Sequence, residues 1–400
     1  MSVLKSAEAT VMRDLLRCKV FGENVDVIGY HLDDMTNLDD TRNPRLYLTL
    51  NYVKDGAALK KKLFVKFQPV EEVYNRLSME VQFNNEILSY TEIFPLLNNY
   101  KASPLLPEYY FSTCYFDKRK YLVFEDLNDS GFVGSKLIFS SDLDHIKLAF
   151  EKLGRFHALS YAAKVERREE FFSAVKRIQE PHWVEGLRIN LISVKNGVSR
   201  PGTNLPEKYA DKYKRLCARV DEEYRFFLEL VKPEEPIAVL CHGDFCLNNM
   251  MYRYRGDRPD DVKFIDFGTV RYASPVIDLS FFVFLNLSPE MRASHLAELL
   301  RVYHDSLANT VPGLSVPSLA DVQEEFRRKC VYGFLHAIYY IPVMSAVITG
   351  VCPLDFLELV KASTDEDIFK ELRMIGGTKG TELMQEMLID FLENYFCDSL

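Results

Sequence analysis

Two short apolar runs in the second half of the chain each end in a cluster of polar side chains, and this pairing constrains the fold more than any other feature. Residues 237–240 (Ile-Ala-Val-Leu) lead into Cys241-His242-Gly243-Asp244-Phe245-Cys246-Leu247-Asn248-Asn249. Residues 262–265 (Val-Lys-Phe-Ile) lead into Asp266-Phe267-Gly268. A short apolar run bounded by turn formers reads as a buried strand. A loop held on such a strand can bring Asp244 and Asn249 to one place, and the second strand can deliver Asp266 beside them from a rigid base. Far upstream, Lys66 lies inside a third apolar strand, Val65-Lys66-Phe67.

Taken singly, each feature has an ordinary reading. A strand lysine is usually on a solvated face, Asp-Phe-Gly is a common turn, and His-Gly-Asp can be a tight loop. Their combination in this order matches what phosphoryl transfer from ATP demands. That reaction needs little covalent chemistry and much electrostatic positioning. It uses a lysine on the α/β-phosphates, an acidic partner that aims the lysine, a carboxylate near the acceptor hydroxyl, and an Asn and an Asp on magnesium.

The rest of the chain bounds the setting. Four hundred residues, 48% hydrophobic and 27% charged, supply a sizeable core and suggest two lobes or one large domain. A net charge of −9 excludes a general nucleic-acid footprint. Charges recur through the first 19 residues, so no secretory signal is expected there, and a cytoplasmic chain is. The eight cysteines form no Cys-x-x-Cys pair and are expected to be reduced, mostly core thiols. Cys397-Asp398-Ser399-Leu400 resembles a prenylation box, but its middle positions are polar. Asn128-Asp129-Ser130 and Asn286-Leu287-Ser288 match glycosylation sequons that a cytosolic chain would not use. Residues 331–354 carry no Asp, Glu, Lys or Arg. The length would span a bilayer, yet His336, Pro342, Ser345 and Thr349 favour a core helix, and no membrane span is expected.

Pattern reading predicts a short helix over residues 7–19 and strands over residues 25–32, 45–53 and 62–68. A helix over residues 76–94 and a hairpin over residues 109–124 follow. Beyond Glu125 the pattern turns helical: residues 141–163 with a serine cap, a long helix over residues 207–231, and helices from Ser274 onward. The predicted class is α+β, with a small β-rich N-terminal lobe over residues 1–125 and a larger, mostly helical C-terminal lobe over residues 126–400.

With these residues in view, the chain resembles the ecdysteroid kinase-like family, a branch of the aminoglycoside phosphotransferase and choline kinase superfamily, which is related to protein kinases. HGDFCLNNMMYRY and VKFIDFGTVRYASPVIDLSFFVF carry the resemblance most specifically. LFVKFQP, FNNEILSYTEIFP and YLVFEDLNDSGF extend it upstream. The resemblance implies a two-lobed protein-kinase-like fold and a cytoplasmic ATP- and Mg2+-dependent transferase acting on a small-molecule alcohol, such as an ecdysteroid or xenobiotic. It implies that Lys66 pairs with ATP phosphates and Glu86 with Lys66. Glu125, Asp126 and Leu127 would receive adenine through backbone groups. Asp244 would orient or deprotonate the acceptor hydroxyl, and Asn249 and Asp266 would ligate magnesium. Asp278 and His242 would brace the catalytic loop.

The chain also departs from the family pattern. Residues 33–44 stand where a glycine-bearing nucleotide loop is usual, yet hold no glycine and four aspartates. Backbone amides near phosphate favour glycine, and aspartates repel anions. This admits a rival reading, a pseudokinase that binds a ligand or partner with weak or no turnover. Choline or aminoglycoside phosphorylation is another rival. A protein kinase is disfavoured, because no Ala-Pro-Glu anchor follows Asp266. Cys246 replaces the family's tryptophan and Gly268 its glutamine. The uncharged segment supplies Phe334, Ile338, Tyr339, Tyr340, Ile341 and Met344 as an expected apolar acceptor surface, with the single tryptophan, Trp183, elsewhere in the sequence.

Overall fold

Strand periodicity decides which side of the first sheet carries the chemistry. In the computed structural model, which describes residues 3–37, 43–69, 77–97, 103–116, 119–135, 142–349, 364–398 and 400, strands β1 (Val25–Leu32), β2 (Arg45–Lys54), β3 (Ala57–Phe67), β4 (Tyr109–Phe116) and β5 (Arg119–Glu125) form an antiparallel sheet. Its order is β1-β2-β3-β5-β4. Leu63, Val65 and Phe67 of β3 and Leu46, Leu48 and Leu50 of β2 are buried on one face. There they meet Ala7, Val11, Met12 and Leu15 of helix α1 (Val3–Arg17), whose spacing by three and four puts them on one stripe. Alternation then sends Phe64 and Lys66 to the opposite face. That face receives α2 (Met79–Leu88), which carries Glu86 and continues through a wider turn at Ser89–Ile93 into α3 (Phe94–Leu97).

The second lobe is built on helices α4 (Leu143–Glu166), α5 (Arg168–Val175), α6 (Arg188–Gly202), α7 (Ala210–Val220), α8 (Tyr224–Val231), α9 (Val276–Asn286), α10 (Pro289–Thr310), α11 (Leu319–Lys329), α12 (Val331–Thr349), α13 (Asp365–Met374) and α14 (Gly377–Asp390). Every residue of α9 is buried, which is why its sequence is apolar all round rather than striped. Two small sheets hold the polar loops against this core. One is β6-β8-β9 (Phe132–Gly134, Met250–Arg255, Arg258–Phe264), and the other pairs β7 (Val239–Cys241) with β10 (Arg271–Ala273). The fold is the expected two-lobed, kinase-like α+β arrangement.

Several local expectations change. The helix predicted over 207–231 is broken into α7 and α8 by Glu223, whose φ of 53° is incompatible with a continuing helix. The break lets Phe227 stack on Trp183 with ring centroids 3.8 Å apart. The cap of α4 is Asp142, which accepts from His145 N at 3.1 Å; Ser141 lies outside the described residues. Strands β6, β8 and β10 were not anticipated, because each is short and β8 carries two arginines among its six residues. Residues 331–349 form α12 as expected, and among the described residues no helix is long and apolar enough to cross a membrane. Six described cysteines are free, four of them buried, Cys397 included.

The aspartate-rich segment is partly visible. Asp33 accepts from Thr49 Oγ1 at 3.2 Å, and Asn37 pairs with Arg45, so its first turn closes onto β2. Asp39 and Asp40, on which the expected repulsion of phosphate rests, lie outside the described residues.

Candidate active site

Lys66 reaches across the cleft rather than into solvent. Its Nζ lies 2.6 Å from Glu86 Oε2 on α2 and 2.9 Å from Asp266 Oδ1 at the end of β9. Burial works against the lysine charge, but Asp266 and Glu86 together hold its pKa above the ordinary value. Glu86 is buried, and this burial raises its carboxyl more than Lys66 lowers it. For Asp266 the balance is opposite: the surrounding protein raises its carboxyl, but Lys66 outweighs this and holds it below the usual range, with the side chain still about half exposed. The three residues therefore form one charge-coupled unit joining both lobes.

Asp266 is held in an unusual backbone state. Its φ of 66° and ψ of 69° lie in the left-handed region, uncommon for a residue with a side chain. Phe267 fixes this turn: its ring packs 4.5 Å from His242, 4.8 Å from Phe94 and 5.6 Å from Phe156, measured between centroids. Gly268 follows close to α2, where a Cβ would come 3.0 Å from that of Gln82.

The other acid loop is built from the β7 end. Asp278 Oδ2 accepts from His242 N at 2.7 Å and Asp278 Oδ1 from Gly243 N at 2.8 Å. His242 Nε2 bonds the Ile265 carbonyl at 2.9 Å, and the Asp244 amide donates to His242 Nδ1 at 3.3 Å. His242 is thus a brace that ties the two loops together. Asn249 Nδ2 donates to both Asp244 O and Asp244 Oδ2 at 2.8 Å, and the Asn249 backbone carbonyl accepts from Ile265 N at 3.0 Å. Burial pushes the Asp244 carboxyl up and nearby Asp266 adds to this, against the pull of His242 and Asn249. Asn248 is exposed.

Gly243 is required by geometry. Its φ is 86°, and a Cβ there would stand 1.9 Å from the Thr269 carbonyl oxygen. Gly243→Ala is expected to displace the loop, at a cost of about 1–3 kcal/mol. Chemical denaturation checks this; an alanine variant as stable as wild type would show that the loop does not need the left-handed turn.

The third wall is the β5 end. Tyr47, Phe64, Phe124, Leu127, Met251 and Ile265 line an apolar cleft that opens onto Lys66, Glu86 and Asp266. The Glu125 amide donates to the Glu108 carbonyl and the Asp126 amide to the Lys62 carbonyl, each within the sheet region. The Leu127 amide has no partner among the described residues. The Asp126 carboxylate caps its own turn through Asn128 N and Nδ2. The Glu125 carboxylate binds Lys263 of β9, Ser130 and the Glu108 amide, so it braces one lobe on the other.

Six of the eight residues picked out in the sequence line this cleft, and the other two, Asp244 and Asn249, stand on the loop after β7, near enough for Asp266 to act on the Asp244 carboxyl. Three contributors were missed. Lys263 is one. His157 is another; buried on α4, it bonds Asp278 Oδ2 at 3.1 Å and Tyr303 at 3.0 Å, and a histidine set among the apolar residues of α4 was the available signal. Arg271 is the third; it is buried, with Tyr332 Oη at 2.7 Å and Glu180 Oε1 at 3.2 Å.

A lysine strand, a glutamate helix and two acid loops facing one interlobe cleft define a kinase-like protein. The chain belongs to the ecdysteroid kinase-like family, whose model matches residues 44–316. No curated protein matches the sequence. Among solved structures it is similar to the ethanolamine kinase of Plasmodium vivax, with 12% identity over 92% of this chain and 82% of that one, at a TM-score of 0.45. It is also similar to wild-type aminoglycoside 2'-phosphotransferase-IIIa in its GDP complex, with 14% identity over 96% and 99%, at a TM-score of 0.43. The family assignment rests on the family model alone.

Proposed function

We propose that this chain is a small-molecule kinase that transfers the γ-phosphoryl group of ATP to the hydroxyl of a neutral, lipophilic alcohol of the ecdysteroid or xenobiotic kind. The observation that carries the reading is the ion-paired set of Lys66, Glu86 and Asp266 in the cleft with the hydrogen-bonded Asp244 and Asn249 on the adjoining loop, which a chain that only bound ligands would not need.

The donor set suits a magnesium nucleotide. Asn249 spends its amide nitrogen on Asp244, leaving Oδ1 without a partner among the described residues. Asp266 uses Oδ1 on Lys66. A neutral oxygen and a carboxylate are hard ligands of the type magnesium prefers. Asn249 and Asp266 would hold the ion, which supplies charge neutralisation at the phosphates. Lys66, aimed by Glu86, binds phosphate oxygens. The free Leu127 amide is the adenine-facing group, since those of Glu125 and Asp126 are already engaged. Asp244, whose basicity burial has raised, orients the acceptor hydroxyl and takes its proton as oxygen bonds to phosphorus.

The acceptor end supports a neutral substrate. His182, Trp183, Tyr332, His336 and Tyr339 gather there, with His182 and His336 centroids 5.4 Å apart and those of Trp183 and His336 6.2 Å apart. The tryptophan that looked remote in the sequence therefore joins this cluster. It is not a vacant cage for a cation, because the Arg271 guanidinium already lies 5.8 Å from the Tyr332 ring centre. Burial, with Arg271 nearby, pushes the His182 pKa down to about 3 and that of His336 well below its usual value. Tyr339, half-buried and electrostatically coupled to Asp244, marks the side facing the catalytic loop. Phe334 and Ile338, expected on the acceptor surface, are instead core: Phe334 stacks on Phe391 at 4.1 Å, and Ile338 packs on Gly197.

Initial rates of ATP consumption against ecdysteroids, plant-derived alcohols, choline and kanamycin at saturating magnesium ATP test the reading. Lipophilic alcohols are expected to stimulate turnover and choline not to. Choline or kanamycin outperforming every lipophilic alcohol would overturn the acceptor class, and no turnover with any acceptor would favour the pseudokinase.

A further inference from the structure

At the end of α9 remote from the catalytic loop, the helical lobe contains a cavity of about 420 Å³. Leu285, Leu287, Ile341, Leu383 and Met387 wall it, and Glu290, Lys379 and Glu386 stand at its exposed rim. It shares no residue with the nucleotide cleft. Asn286 lies eight residues beyond Asp278 on one helix, which is about 12 Å along the axis.

The polar groups of this cavity define what it can hold. Asn286 also lines it and is 1% exposed. Its Oδ1 is buried without a hydrogen bond, and its amide nitrogen bonds none of the described residues. Buried polar groups in native proteins are overwhelmingly paired, and leaving one unpaired forfeits its hydration without return. Arg292, the cation in the wall, is spent: Nε bonds Asp390 at 2.8 Å, and Nη1 bonds the Leu287 carbonyl. Lys379 at the rim is paired with Glu382. No free cation therefore faces inward among the described residues, and an anionic head group has no counterpart. What remains is an apolar chamber of ligand size whose wall holds the Ser288 and Ser345 hydroxyls and the Asn286 amide, with the amide nitrogen as the donor not spent on the described residues.

We propose that this cavity is a second ligand site, separate from the nucleotide cleft, for a neutral and largely apolar small molecule whose single hydroxyl or carbonyl pairs with Asn286. The walls bury the hydrocarbon, and the amide selects the oxygenated molecule over its hydrocarbon counterpart. A water molecule would satisfy Asn286 but leave the five apolar walls wet.

The test uses the full chain and a diazirine-bearing farnesol as photoprobe, with labelled peptides mapped by mass spectrometry. Label is expected on peptides covering residues 285–292 and 379–387, both in wild type and in Asp244→Asn. Farnesol should compete for that label about five- to tenfold better than farnesene, which lacks the hydroxyl, as one hydrogen bond would dictate. Asn286→Ala should bring the two competitors together without lowering the melting temperature, since the amide it removes is unpaired. Leu383→Trp should fill the chamber and abolish this label; Leu383→Phe serves if the tryptophan variant does not fold. Label confined to the interlobe cleft, no label at all, or an unchanged farnesol preference in Asn286→Ala would overturn the proposal. A marked loss of stability in Asn286→Ala would do so too, because the amide would then be satisfied by the protein or by water.

Discussion

Asp244→Asn is expected to lower phosphoryl-transfer turnover by about 10²–10⁴-fold, the usual contribution of a positioned general base, while nucleotide affinity stays near that of wild type. The division follows from geometry. Asp244 is held by Asn249 on the loop after β7, whereas the phosphate-directed lysine is held by Glu86 and Asp266. The same substitution has a stability signature with a definite sign. Burial and Asp266 raise the Asp244 carboxyl in the folded chain. An acid whose folded pKa exceeds its unfolded value binds its proton more tightly when folded. Its cost to stability therefore appears as pH rises through the ordinary carboxylate range, near 4, and grows until the folded value is passed. Asparagine carries no charge at any of these pH values. The ligand-free variant should melt higher than wild type at neutral pH, and the gap should close on acidification. Kinetics of acceptor phosphorylation and melting curves across pH check both halves. Wild-type turnover in the variant would remove Asp244 from the chemistry, and a lower melting temperature at neutral pH would make its role structural.

Asp278→Ala should cost about 3–5 kcal/mol of stability, the range for breaking a buried charged network by deleting one partner. Asp278 is fully buried and accepts from His242 N, Gly243 N and His157 Nε2. Alanine strands all three donors in a region that water cannot reach. The loop that carries Asp244 then loses its anchor, so turnover should fall as well, although Asp278 touches no predicted ligand. Asp278→Asn keeps one acceptor oxygen and should recover part of the stability. Urea titration of the three proteins measures the loss. A change under about 1 kcal/mol in the alanine variant would show that the network does not hold the loop.

The two loops and the lysine strand were readable because each is local. Val65-Lys66-Phe67 alternates as a sheet residue must. The run through Asp244 and Asn249 and the run through Asp266 each leave an apolar strand at a fixed spacing. Glu86 was reachable only through the resemblance, because helix spacing does not say which glutamate faces a strand 20 residues upstream. Where sequence reading failed, the deciding contact was long-range. Nothing local marks Glu223 as the break between α7 and α8; the stacking of Phe227 on Trp183 accompanies it. Phe334 and Ile338 look like neighbours of Tyr339 on an uncharged helix, yet α12 is packed on several sides, and periodicity cannot tell a pocket wall from core when every face is apolar.

From the sequence alone came the family, the two-lobed class and the side chains proposed for catalysis, because these depend on residue types at short spacings within single strands and loops. Only the tertiary structure decided that Lys66 meets Asp266 across 200 residues, that His157 and Asp278 jointly anchor the loop of Asp244, and that Arg271 meets Glu180 and Tyr332. His157, Asp278 and Arg271 are buried and Lys66 is partly so, each with its partner far along the chain, and a buried charge is stable only where folding brings that partner within hydrogen-bond reach.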